Sequence, residues 1–121
     1  MGLYSINNSN NKKDLFSITL DKGMEYIKEN KAILLDVRVP SNVKGKNAQE
    51  ANIPNAFYIP YTDFINYIDI LPEDKKKPII VASYEGWFAN RVKSYLEMLG
   101  FDKIYVLSDN IEEWIKIHTQ K

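Results

Sequence analysis

The chain has 121 residues, 16 basic and 16 acidic side chains, a formal net charge of zero and no cysteine. That is enough chain for one domain with a modest core, and the neutral balance argues against nucleic acid as a partner. Without a thiol, disulfides, thiolate catalysis and thiolate metal sites are excluded. His118 is the single histidine, so no metal centre, cofactor or Ser–His pair is expected. No apolar run approaches the ~20 residues of a membrane helix.

Residues 1–15 open with a stretch rich in Asn, Ser and Lys. They read as a disordered arm ahead of a single domain over 16–118. The N-terminus lacks the basic start and apolar core of a signal peptide, so a cytoplasmic protein is expected. Residues 16–20 predict a short first strand. Asp21 is a plausible N-cap, with Met24, Tyr26 and Ile27 as the apolar face of a helix ending near Asn30. Residues 33–37 form a second strand, stopped by Pro40. The stretch 41–52 is polar, carries Lys44-Gly45-Lys46, and reads as a solvated connector with room for one helical turn.

A turn over 53–56 leads to a third short strand at 57–59. Tyr61, Phe64, Ile65, Ile68 and Leu71 then recur at helical spacing, predicting a helix opened by Thr62 or Asp63. Residues 72–77 make a charged turn, whose Lys75-Lys76-Lys77 reads as a solvated edge. The run Ile79-Ile80-Val81-Ala82 follows Pro78 and predicts a strand buried on both faces. From Ala89 the spacing turns helical, with Ala89, Val92, Leu96 and Leu99 on one face and Gly100 as the stop.

Between them, 83–88 is a tight loop containing Gly86. A strand, a tight loop and a helix N-terminus make an anion cradle, with Ser83 at its mouth. Residues 104–107 give another strand. Asp109 or Asn110 caps a last helix that buries Ile111, Trp114 and Ile115. Strands alternate with helices throughout, which predicts an α/β domain with a mostly parallel sheet covered on both faces.

In this order and spacing the pieces resemble the rhodanese domain from about residue 17 to 117. Leu34-Leu35-Asp36-Val37-Arg38 with Pro40 is similar to that family's strand end. Asn52-Ile53-Pro54-Asn55-Ala56 is similar to its His-Ile-Pro-Gly-Ala turn. Gly100-Phe101, Ile104-Tyr105-Val106-Leu107 and Ile111-Glu112-Glu113-Trp114 are similar to its last strand and helix. The resemblance implies a five-stranded sheet with a pocket above the central strand's C-terminal end. It also implies a loop whose first residue is a cysteine that carries sulfur as a persulfide.

The chain departs from the family at that loop. Ser83 stands at the cysteine position, and Gly86 is kept. Tyr84 and Phe88 replace common arginines, and Glu85 adds an acid. The 41–52 loop is longer than usual, and Asn52 replaces a common His. A serine hydroxyl stays protonated without a general base and cannot store sulfur as a persulfide. Related phosphatases need an Arg six positions after the nucleophile, where this chain has Ala89.

The expectation is therefore a non-catalytic binding module. Ser83 is inactive, and the loop of Tyr84, Glu85, Gly86, Trp87, Phe88 and Ala89 meets a protein partner. The three aromatics either brace the core or form an apolar recognition surface with 41–52 as a movable rim. Asp36 and Arg38 form a buried supporting network, because buried charges must be paired, and Arg91 lies on the surface. The alternative is a thiosulfate or persulfide sulfurtransferase whose native residue at position 83 is cysteine. Only then is a small sulfur-containing anion the ligand.

Overall fold

The two apolar runs at the centre of the chain pair with each other. β2 (Ile33–Asp36) and β4 (Ile79–Ala82) lie parallel, with Leu34 opposite Ile80 and Asp36 opposite Ala82. A computed structural model describes residues 16–84 and 86–120, apart from the side chains of Gly86 and Trp87. The arm expected over 1–15 lies outside these residues, as does Glu85. β1 (Ser17–Ile18), β3 (Ala56–Tyr58) and β5 (Ile104–Leu107) complete a five-stranded sheet in the order β1-β5-β4-β2-β3. All four pairings are parallel.

Parallel strands need crossovers, and those crossovers cover both faces of the sheet. Because side chains alternate along a strand, β2 and β4 feed two cores. Leu34 and Ile80 point to one face, where α1 (Leu20–Lys28) and α3 (Ile111–Thr119) pack through Ile27, Ile111 and Trp114. Leu35, Ile79 and Val81 point to the other, against α2 (Gly86–Met98) through Ala89, Val92 and Leu96. Phe64 and Phe101 close this second core.

Four local expectations are corrected. The N-cap of α1 is Thr19, not Asp21. The Thr19 side chain accepts the Lys22 N–H at 3.2 Å, and Asp21 instead sits in the first turn, where a carboxylate suits the helix dipole. α2 begins at Gly86, three residues earlier than Ala89. It ends as expected: Gly100 has φ +103, its N–H reaches Glu97 O, and Phe101 N–H reaches Leu96 O. Leu99 lies past the helix end and is exposed, so it does not join the Ala89–Val92–Leu96 face.

The third crossover is not an α-helix. Tyr61–Ile70 is 3-10, with a non-helical Tyr67 at φ −121, and Pro60 supplies no side-chain cap. Three residues per turn place Tyr61, Phe64 and Tyr67 in one row, so Ile65 and Ile68 swing off the inward face. Phe64 is buried at 2 % exposure, whereas Ile65 is 59 % exposed.

Candidate functional site

β2 and β4 end side by side, with the buried Asp36 and Arg38 at the end of β2. Ser83 follows β4 directly and is half-buried. Tyr84 projects into solvent, and α2 starts two residues later. Ser83 and Tyr84 line a cavity of about 380 Å³ with Val106, Leu107, Ser108, Asp109 and Asn110, at the C-terminal ends of β4 and β5. Ligands in open α/β sheets gather at this end.

The described lining of the cavity has no cationic side chain. Among the described residues lining it, Asp109 carries the one formal charge. Its Oδ2 accepts the Leu20 N–H at 2.7 Å, tying the start of α1 to the loop before α3. Asn110 is the N-cap of α3, its Oδ1 accepting the Glu112 N–H at 2.9 Å. Ser108 Oγ donates to Ile18 O at 3.1 Å. Arg91 is exposed on α2 and donates through Nε to Tyr61 Oη at 3.1 Å, which raises its pKa further. His118 is elsewhere. It lines a groove of about 770 Å³ between α1 and α3 with Met24, Ile53, Pro54 and Trp114. Eight residues of helix separate it from Asn110, ~12 Å along the axis.

Phe88 and Tyr84 have different surroundings. Phe88 is half-buried and packs on the Tyr61 ring, centroids 4.8 Å apart, which braces the first turn of α2 against the 3-10 segment. Ala89 is in the core, and Tyr84 is 64 % exposed. The expectations for Glu85 and the Trp87 side chain fall outside the described residues.

Beside the cavity, Asp36 and Arg38 are both buried. Arg38 grips Asp36 with two hydrogen bonds, Nε to Oδ1 at 2.9 Å and Nη2 to Oδ2 at 2.8 Å. Burial pulls the Arg38 pKa down, but the hydrogen bonds and charge of Asp36 outweigh it and the net direction is up. Nη1 lies 3.6 Å from Glu112 in the first turn of α3.

Asp36 also accepts the Ala48 N–H at 3.0 Å. That bond corrects the reading of 41–52 as a solvated connector for its second half. Lys44, Gly45 and Lys46 are exposed, but Asn47, Ala48 and Ala51 are buried. Asn47 Oδ1 accepts from Glu50 N at 2.8 Å and Glu50 Oε1 from Asn47 N at 3.1 Å, a reciprocal cap for the turn that follows. Gln49 Oε1 then accepts the Tyr58 N–H of β3 at 2.9 Å. The signal was present as Asn47-Ala48-Gln49-Glu50, an N-cap with an acid three residues on.

The model of the rhodanese-like domain family matches residues 19–117. The chain belongs to that family. A thiosulfate sulfurtransferase GlpE of Coxiella burnetii is 28% identical over 94 residues, 78% of this chain and 81% of that protein. A rhodanese-related protein of Thermoplasma volcanium has 27% identity and a TM-score of 0.61, covering 84% of this chain and 91% of the other. A full-length protein of Lactobacillus plantarum shares the fold at TM-score 0.71 and 21% identity, over 97% and 94% of the two chains. The family's sulfur transfer runs through a cysteine thiolate, and this rhodanese-like chain has none. Among the described residues, no helix is long and apolar enough to cross a membrane.

Proposed function

We propose that this rhodanese-like chain is a non-catalytic binding module, with Ser83 in the place of the family's cysteine. The observation that carries the proposal is the absence of every cysteine from the chain. The cavity beside Ser83 supports it. Its described lining offers no cation to hold a sulfur-containing anion, and no histidine stands there to activate a hydroxyl. On this reading the loop from Ser83 to Ala89 faces a protein partner in the cytoplasm. Tyr84 is the exposed aromatic anchor, and Phe88 holds the loop in shape.

Intact-mass spectrometry after incubation with thiosulfate tests the chemical half. The expected result is no added sulfur, because there is no thiol to carry it. A cyanide-reversible gain of one sulfur atom overturns the proposal.

The relatives named as thiosulfate sulfurtransferases favour a second reading, in which the native residue at position 83 is cysteine. Ser83→Cys separates the two. The N-terminus of α2 lowers a thiol's pKa and nearby carboxylates raise it, so the thiol should titrate not far below the ordinary ~8.5, with weak thiosulfate turnover. Robust turnover supports the second reading instead.

A further inference from the structure

The cavity beside Ser83 has walls of three kinds. Val106 and Leu107 give it apolar surface, as does the exposed ring of Tyr84. Ser83, Ser108 and Asn110 bring neutral polar groups, and Asp109 brings a carboxylate. Asp109 is held from outside its own loop. Its Oδ2 accepts the Leu20 N–H at 2.7 Å, which engages one of its two oxygens, and the residue remains exposed. A charge fixed in this way is already oriented for a ligand, so binding loses little side-chain freedom.

The adjoining elements add charge of the same sign. Glu112 and Glu113 stand in the first turn of α3, and Asp21 in the first turn of α1, the helix whose Leu20 N–H Asp109 holds. The N-terminal ends of α2 and α3 carry partial positive charge, which the two carboxylates of α3 oppose at that helix. Cations on the same elements are engaged with other groups. Arg38 holds Asp36 at 2.8 Å, with Nη1 3.6 Å from Glu112. Lys22 lies 3.7 Å from Glu25, and Arg91 donates to Tyr61. Lys44 and Lys46 are exposed and do not line the cavity.

Whatever covers this cavity has to meet Asp109. An apolar side chain would strip water from the carboxylate and put nothing in its place, and an acidic one would add repulsion. A lysine or arginine pairs with it. The methylene stem of such a side chain suits Val106 and Leu107, its charged head suits Asp109, and the Tyr84 ring offers its face to the cation. A volume of about 380 Å³ takes one long side chain rather than a helix or a strand. Resting on the reading of this cavity as a protein-binding site, we propose that its occupant is a lysine or arginine side chain of the partner.

Titration of the full chain with four end-blocked tripeptides, followed by amide chemical shifts at low ionic strength, tests it. The peptides carry Lys, Arg, Glu or Ala between two glycines. The Lys or the Arg peptide should give saturable shifts at Ser83, Tyr84 and 106–110, and whichever binds more tightly names the head group. The Glu and Ala peptides should give none. Asp109→Asn removes the charge and keeps an oxygen for the Leu20 N–H, so the fold is retained, which circular dichroism checks. It should weaken binding about tenfold or more, as should Tyr84→Ala. Asp102→Asn, an exposed acid before β5, should leave binding unchanged. Cationic peptides that give no saturable shift, or no more than the Ala peptide, overturn the proposal. So does tighter binding of the Glu peptide, or binding undiminished in Asp109→Asn. The wider reading fails by a different result, a sulfur atom gained from thiosulfate, so the two failures are told apart.

Discussion

Asp36 accepts four hydrogen bonds beside the site. It holds Arg38 twice, the Ala48 N–H, and the Arg38 N–H at 3.3 Å, with no exposure of its own. Removing one partner of a buried pair leaves the other charge uncompensated. Asp36→Ala should therefore cost ~3 kcal/mol or more, read from the urea midpoint, and should also release 47–52 to faster amide exchange. An unchanged midpoint would mean that the pair does not hold the strand ends.

Tyr58 is a contrasting case, because its buried hydroxyl has no hydrogen-bond partner among the described residues. Burial, then the charge of Asp36, raises its pKa; Tyr105 is raised too, first by burial and then by Tyr26. A raised folded-state pKa gives stability that is complete below the unfolded value of ~10 and is lost as pH climbs through the folded value. Alkaline unfolding should become shallower in Tyr58→Phe. At neutral pH the same variant should be as stable as the parent, or slightly more so, because no hydrogen bond is lost.

At the scale of elements, helix positions are set by what they pack against. Gly23 is buried inside α1, and a Cβ built there would lie 3.1 Å from the Trp114 ring. In an open helix position Gly→Ala stabilises by ~1 kcal/mol through propensity. Here that gain is opposed by the indole, so Gly23→Ala should show no rise in thermal midpoint. A rise of several degrees would show that α1 and α3 can separate at little cost. The capped turn at Asn47 is the second element-scale device. Asn47→Ala removes one bond of the reciprocal pair and should cost ~1 kcal/mol in thermal or urea unfolding, the usual value of such a cap.

At the scale of the molecule, the parallel sheet gathers five strand ends at one edge, and the proposed binding site lies among them. The 3-10 segment lies on the α2 side of the sheet and buries Phe64 in the core that also contains Leu96.

The sequence by itself determined the sheet and the cores. Apolar runs such as Ile79-Ile80-Val81-Ala82 and the stop at Gly100 are local signals, and a strand buried on both faces needs nothing else to be recognised. It also determined the absent chemistry, since a chain without cysteine has no thiolate in any fold. The tertiary structure decided what depends on residues far apart in the chain. The Leu20 N–H is held by Asp109, 89 residues away, and no period in the sequence carries that bond. Ala48 is drawn inward by Asp36, so a polar stretch became part of the core wall. The 3-10 geometry of Tyr61–Ile70 was hidden for a related reason. Apolar spacings of three and four fit both helix types, and only packing against α2 through Phe64 and Tyr61 shows which side chains are left outside.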